Sequence, residues 1–305
     1  MNKKIIFMGT PEYATVILKE LVKQNYALLA LFTQEDKKVG RKQILTAPHI
    51  KQYVIDEKIN IPVFQPKTLK EKGIKEIIQT FNPDFIIVAA YGQILPQNIL
   101  DIAPCINLHA SLLPLYRGAS PIQQCLLNAD KYTGVTAMFM EAGLDSGDIL
   151  GLKYLKIDEN MDVEYLFDNL AFVAADLIVE VLENFSNIKE IKQNKTKVSH
   201  CGKIKKEDGE VLFDDAFKLV QKFKAFKFWP GLFLQSGLKL KDLSLCETKS
   251  KNIAGTILEI NKDKIVIGCT KGSINLLVIQ QPSKKAILAT DYIRGQRVEL
   301  GNNLS

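Results

Sequence analysis

The stretch Lys3-Lys-Ile-Ile-Phe-Met-Gly-Thr-Pro11 decides the fold class. Lys3 to Met8 reads as a strand, because a short apolar run closed by a turn residue suits a chain buried on both faces. Gly9 makes the turn and Thr10 is the expected N-cap. Pro11 fits a first helical position, where a missing N–H costs nothing. The helix is predicted to run to Lys23, with Ala14, Ile17, Leu18 and Leu21 on one face, and Ala27 to Thr33 is the next strand. A strand, a helix and a second strand pack as a parallel pair, so the chain opens as a Rossmann-like α/β parallel sheet. One glycine stands where a dinucleotide site needs Gly-x-Gly-x-x-Gly, so no nicotinamide cofactor is inferred.

Moving outward, Gln34 to Pro48 is a polar excursion containing Lys37-Lys-Val-Gly-Arg-Lys42, expected as a surface loop. Connections of that length are commonly functional or mobile. A helix over Ile50–Glu57, a proline-broken edge strand over Ile61–Pro66 and a helix over Lys70–Thr80 follow. Asp84 to Ala90 is a further buried strand, ending in Tyr91-Gly-Gln-Ile-Leu-Pro96.

The next strand carries the chemistry: Cys105-Ile-Asn-Leu-His-Ala-Ser-Leu-Leu-Pro114. Alternate residues of a strand share a side, so Asn107 and His109 project together while Leu108 packs the other way. Pro114 has no N–H for a ladder, so the chain leaves the strand there. Polar groups at such a strand end are where open α/β sheets place their active sites. A satisfied core histidine is the plainer alternative. After a helix over Pro121–Asn128, strands are expected over Gly134–Met140 and Ile149–Ile157, with the acidic loop Glu141–Asp148 between them. A long helix then covers Asp162–Glu183.

Composition bounds the function. The 305 residues are 47% hydrophobic and 24% charged, ordinary for a globular protein long enough for two domains. No apolar run reaches the ~18–20 residues of a membrane span. The apolar core of the first residues is too short for a signal peptide, so no membrane association and a cytoplasmic location are expected. The five cysteines are scattered without a Cys-x-x-Cys, and the three histidines have no metal-ligand spacing. Neither a disulfide framework nor a metal site is read.

Asn187 to Lys206 holds seven lysines against one glutamate, a surplus equal to the whole chain's net charge of +6. Such a run is a solvated linker or a phosphate-backbone contact. The domains are therefore set at 1–188, a basic linker at 189–206, and a second domain at 207–305. In the last, a helix over Asp215–Phe226 precedes Trp229-Pro-Gly231. Short strands then follow near 232–235, 238–246, 253–261, 264–269 and 273–280. That rhythm suits a small β-barrel such as the OB type.

Asn107, His109 and Asp145 belong together chemically. An imidazole exchanges protons near neutrality, a carboxylate can orient it and favour its charged form, and an amide donor can stabilise an oxyanion. They suit acyl or formyl transfer through a tetrahedral intermediate. Ser111 lacks the Gly-x-Ser-x-Gly setting of an activated nucleophile.

Asn107-Leu-His-Ala-Ser-Leu-Leu-Pro114, with Gly143-Leu-Asp-Ser-Gly-Asp148 downstream, closely resembles the folate-dependent formyltransferases. The narrower resemblance is to the members that act on methionyl-tRNA. It rests on Phe7-Met-Gly-Thr-Pro11, Gln34, Gly40-Arg41, Val63-Phe-Gln-Pro66 and Ala90-Tyr-Gly-Gln93. Lys203-Ile-Lys-Lys-Glu207, Trp229-Pro-Gly231 and Asp291-Tyr-Ile-Arg-Gly295 extend it nearly to the end. The family carries Arg-Ala-Phe where this chain has Lys224-Ala-Phe226, and its basic loop is often richer in cations than Arg41-Lys-Gln-Ile44.

The resemblance implies that Asn107, His109 and Asp145 are catalytic and that no metal is required. It implies that Ser111, Leu112, Leu113 and Pro114 hold the folate of 10-formyltetrahydrofolate, and that Gly92, Gln93, Ile94 and Leu95 line its pterin pocket. The implied acceptor is the α-amino group of initiator methionyl-tRNA. Arg41 and Lys42 would enter its acceptor end, while Lys203, Lys205 and Lys206 would follow its backbone. A monomer with a formyltransferase domain and an OB-like RNA-binding domain is expected. The rival readings are a formyltransferase for a sugar nucleotide or purine precursor, and a non-catalytic RNA binder.

Overall fold

A computed structural model describes residues 3–40 and 42–304. The chain divides into two compact units: one holds residues up to Pro121, Tyr132–Ile157 and Leu166–Cys201, and the other Ile122–Lys131, Asp158–Tyr165 and Gly202–Ser305.

The first unit opens with β1 (Lys4–Gly9), α1 (Glu12–Lys23) and β2 (Ala27–Phe32). Then come a hairpin of β3 (Lys37–Val39) and β4 (Ile44–Thr46), then α2 (His49–Asp56), β5 (Val63–Phe64) and α3 (Ile74–Thr80). Next are β6 (Phe85–Ala89), α4 (Gln97–Leu100), β7 (Cys105–His109) and β8 (Arg117–Gly118), and then α5 (Pro121–Leu127), which from Ile122 on belongs to the other unit. β9 (Tyr132–Phe139), β10 (Ile149–Lys156), α6 (Val163–Asn184) and β11 (His200–Cys201) follow. The main sheet has the order β10-β9-β7-β6-β1-β2-β5. β7, β6, β1, β2 and β5 run parallel, and β9 and β10 add an antiparallel edge.

β2 and β6 are apolar throughout, and β1 is so after Lys4, as suits strands covered on both faces. Ile5, Ile6, Phe7 and Met8 are fully buried, as are Ala14, Ile17, Leu18 and Leu21 of α1. From β1 the chain winds outward through β2 and β5, then returns to lay β6 and β7 on the other side. This reversal leaves a crevice at the carboxyl ends of β1 and β6, the usual place for a ligand in such sheets.

Three expectations change. Thr10 does not cap α1: Pro11 holds the cap position, and the Thr10 hydroxyl donates to the Tyr91 carbonyl at 3.1 Å. The Gln34–Pro48 excursion contains a hairpin, with every β3 and β4 residue exposed. Residues 189–201, read as linker, are structured within the first unit. Ile191 bridges Ile149, and β11 pairs in parallel with β8.

The second unit contains α7 (Ala216–Ala225), β12 (Leu232–Phe233), β13 (Lys239–Glu247), β14 (Ile257–Ile260) and β15 (Ile265–Gly268). It ends with β16 (Ser273–Gln280), β17 (Ile287–Leu288) and α8 (Ala289–Gln296). Asp215 caps α7 by accepting the Lys218 N–H at 3.1 Å. The antiparallel sheet runs β12-β13-β16-β15-β14, with β17 also on β16. Register shifts in β13 mark bulges that bend it. β12 and β14 share no ladder among the described residues, so strand pairing does not close the expected barrel.

Candidate active site

The site is built on the ends of β1, β6 and β7. Beyond β6, Ala90 and Gly92 take φ of +46° and +80°, turning the chain sharply. The Tyr91 carbonyl between them accepts from the Thr10 hydroxyl and from Gln34 Nε2, each at 3.1 Å. A Cβ on Gly92 would fall 2.3 Å from Gln34 Nε2, so the turn has room only for glycine. Gln93 is tied down too: its Oε1 accepts from Leu69 N–H at 3.1 Å and its Nε2 donates to Pro66 O at 2.9 Å. Leu95 packs into the core, while Ile94 is 81% exposed. Of the four residues assigned to a pterin pocket, Ile94 is thus the side chain free to meet a ligand.

Asn107 and His109 leave β7 on one side, as strand alternation requires, and both reach Asp145. Asn107 Nδ2 donates to Asp145 Oδ1 at 3.4 Å, and His109 Nδ1 lies 3.7 Å from Oδ2. Oδ2 also accepts the Gly118 N–H at 2.8 Å. His109 Nε2 is 2.9 Å from the Tyr116 carbonyl oxygen, which can only accept, so Nε2 carries a hydrogen. Nδ1 faces the Asp145 carboxylate at a separation longer than a hydrogen bond. Asp145 itself has φ of +46°, a left-handed conformation that an Asp tolerates better than most side chains.

The segment after β7 serves geometry more than contact. The buried Ser111 hydroxyl donates to Leu115 O at 2.6 Å, and the Ser111 carbonyl accepts from the buried Thr136 hydroxyl at 2.6 Å. Leu113 N–H donates to that Thr136 oxygen at 3.1 Å, and the Leu113 side chain packs with Met138 and Ile149. Leu112 lies over Gly134 of β9, and Pro114 O accepts the Ser199 N–H at 3.2 Å.

Sequence reasoning missed Gln193, Tyr116, Ser199 and Cys201. Gln193 Nε2 donates to the carbonyls of Asp145 and Gly147 at 2.9 and 2.8 Å, and its Oε1 accepts from Arg117. Ser199 accepts the Tyr116 N–H on its hydroxyl and the Arg117 N–H on its carbonyl, each at 2.9 Å. No spacing in the sequence ties Gln193, Ser199 and Cys201 to residues 107–118, and a lysine-rich neighbourhood disguises them.

Cys105 begins β7, and burial pushes its thiol up to about 12, which disfavours the nucleophilic thiolate. Among the described residues no cluster of three or more His, Cys, Asp or Glu could hold a metal ion, and no helix is long and apolar enough to cross a membrane. Of the basic residues assigned to RNA, Lys42, Lys203, Lys205 and Lys206 are exposed. Arg41 lies outside the described residues.

An α/β sheet with an imidazole, a carboxylate and an amide gathered beyond the end of β7 is an arrangement suited to a group-transfer enzyme. The chain belongs to the formyl transferase family: the model "Formyl transferase" matches residues 3–182 and "Formyl transferase, C-terminal domain" matches residues 203–297. A methionyl-tRNA formyltransferase of Nitratiruptor sp. is 51% identical over 299 residues, 98% of this chain and 99% of that protein. One from Campylobacter lari is 49% identical over 304 residues, 99% of each.

Solved structures share the fold at low identity. An N-formyltransferase of Helicobacter canadensis, solved with folinic acid and dTDP-3-aminofucose, superposes with a TM-score of 0.66 at 19% identity, over 91% of this chain and 99% of that one. HypX of Aquifex aeolicus, solved with tetrahydrofolic acid, gives 0.65 at 15% identity, over 96% of this chain and 47% of that one.

Proposed function

We propose that this chain moves the formyl group of 10-formyltetrahydrofolate onto the α-amino group of methionine carried by initiator methionyl-tRNA. The observation that carries the reading is the convergence of Asn107, His109 and Asp145 at the crevice, in a chain that matches methionyl-tRNA formyltransferases end to end. The folate is a co-substrate that supplies the formyl carbon. The amine attacks that carbon, the carbon–N10 bond breaks, and one proton moves from the amine to the departing folate nitrogen.

Each residue has a task. Asn107, whose Nδ2 keeps a second hydrogen, and the imidazole of His109 stabilise the oxyanion as the tetrahedral intermediate forms. Asp145 holds the imidazole in place and assists the proton transfer. Gly92 to Leu95 and Ser111 to Pro114 shape the folate pocket, Ile94 by direct contact and Ser111 and Leu113 by fixing the loop. Arg41 and Lys42 meet the acceptor end of the RNA, and Lys203, Lys205 and Lys206 contact its phosphates. Formyl transfer belongs to the first unit, and the second adds further RNA binding. The enzyme works as a cytoplasmic monomer without a metal.

The test is transfer of a labelled formyl group from 10-formyltetrahydrofolate to initiator and to elongator methionyl-tRNA. Strong preference for the initiator is the expected result. Folate binding without transfer to either RNA would move the acceptor to a small amine such as an amino sugar nucleotide.

A further inference from the structure

The turn that carries Asp145 is held from outside itself. Asp145 sits at φ +46°, a conformation that persists in a non-glycine residue where its surroundings over-determine it. One buried side chain supplies much of that constraint. Gln193 Nε2 donates to the Asp145 carbonyl at 2.9 Å and to the Gly147 carbonyl at 2.8 Å, fastening two peptide groups of one turn. Its Oε1 accepts from Arg117 Nε at 3.0 Å and Nη2 at 2.7 Å. Arg117 precedes Gly118, whose N–H donates to the Asp145 carboxylate. Gln193 therefore joins the two segments that aim that carboxylate, and all four hydrogen-bonding positions of its amide are used.

The surrounding chain is built to keep Gln193 there. Ile191 and Ile149 exchange backbone hydrogen bonds at 2.8 and 2.9 Å, and His200–Cys201 pairs with Arg117–Gly118. Gln193 is 8% exposed while Lys189, Lys192, Lys195 and Lys197 of the same strap face solvent.

We propose that Gln193 is a positioning residue for formyl transfer. It holds the 145–147 turn in the conformation that directs the Asp145 carboxylate at His109, and through Arg117 it locks that turn to Gly118. The proposal rests on the catalytic reading of Asn107, His109 and Asp145. The hydrogen bonds of Gln193 reach the Asp145 carbonyl and not its carboxylate or His109, so its effect on catalysis passes through the turn.

Two full-length variants test this. Gln193→Glu keeps the shape and the acceptor for Arg117 but sets an oxygen against two carbonyls. Gln193→Met fills the space with neither donor nor acceptor, and decides the matter should the Glu variant fail to fold. The readouts are kcat, KM for each substrate, thermal melting, and the imidazole nitrogen spectrum of protein labelled at its three histidines. His109→Ala identifies the His109 signals, and His49 on α2 is the internal reference. Displacing a catalytic group by about 1 Å can cost on the order of 10²-fold. The expected result is a kcat loss of about 10- to 100-fold, with each KM within about threefold, and His109 signals that move while those of His49 stay.

Variants that melt earlier but keep kcat, with His109 signals unmoved, would overturn the proposal and leave Gln193 a purely structural role. Full activity of His109→Ala would instead overturn the catalytic reading and the proposal together. That control separates the two failures.

Discussion

The N–H of Gly118 donates to Oδ2 of Asp145 at 2.8 Å, and that same oxygen lies 3.7 Å from Nδ1 of His109. A residue just past the loop that follows β7 thus fixes a carboxylate from between β9 and β10, and the carboxylate faces the histidine at the end of β7. The imidazole is held at its other nitrogen by Tyr116 O. Its orientation is set before substrate arrives, which is where preorganised electrostatic catalysis gains its effect.

His109→Ala should lower kcat by about 10²–10⁴ if the ring exchanges protons or stabilises charge in the transition state. Asn107→Ala should cost about 10²–10³ as the loss of one oxyanion donor. Folate affinity, read by fluorescence titration, should change little in either. A loss confined to KM would take both residues out of the chemical step.

Gly118→Ala should damage stability and rate together. Gly118 has φ of +124°, and a Cβ there would lie 2.1 Å from the Cys201 carbonyl oxygen. The strained backbone alone is worth about 1–3 kcal/mol, and relief of the clash would shift the N–H that Asp145 accepts. Gly202→Ala, whose Cβ meets open space, should stay within about 0.5 kcal/mol of the parent. Urea melts of the two variants make the comparison, and equal midpoints would mean that the β8–β11 pairing yields freely.

The parallel sheet was legible because its strands are short apolar runs punctuated by turn residues, and burial on both faces leaves no other pattern. Asn107 and His109 were legible because alternation along β7 is local. The distance to Asp145 was not, since residues 141–148 can be brought to β7 only by the way β9 and β10 pair at the sheet edge. The hairpin of β3 and β4 escaped notice because every residue of the two strands is exposed and no alternation marks them. Gln193 escaped for the opposite reason, a lone buried polar residue in a strap of exposed lysines. Thr10 misled because a hydroxyl that suits an N-cap serves as well to hold a carbonyl on the neighbouring strand.

Thiol chemistry should separate Cys246 from the other cysteines. Cys246 is exposed, while Cys105, Cys125, Cys201 and Cys269 are buried. Burial pushes the thiols of Cys105 and Cys269 up to about 12. Burial also raises that of Cys201, with the Asp145 charge adding to it. At pH 8 a thiol at 12 is ionised to about one part in 10⁴, and the thiolate is the reactive form. Ellman's reagent should therefore titrate one fast thiol in the native protein and all five in denaturant. A second fast thiol would reveal opening of the sheet or the strap.

The hairpin should loosen in acid. Its entry is anchored by Asp36, which accepts from Gln65 Nε2 at 2.8 Å and from Lys51 Nζ at 2.9 Å on each oxygen. Gln65 Nε2 also donates to the Gln34 carbonyl at 2.7 Å. The Gln65 hydrogen bond first, and Lys51 second, hold the Asp36 carboxyl below the ordinary aspartate range. A depressed value in the folded state means that the contribution is fully present above the unfolded value, about 4, and is lost as pH falls through the lower folded value. Deuterium uptake over residues 37–46, corrected for intrinsic exchange, should thus be constant from pH 7 to about 5 and rise below about 4. Gln65→Leu should raise uptake already at pH 7 and flatten its pH dependence, because the leading cause of the shift is gone. The same variant should weaken binding of methionyl-tRNA a few-fold, since a looser hairpin must be ordered when the RNA binds. Uptake identical to the parent at every pH would show that the hairpin holds its shape without the Asp36 anchor.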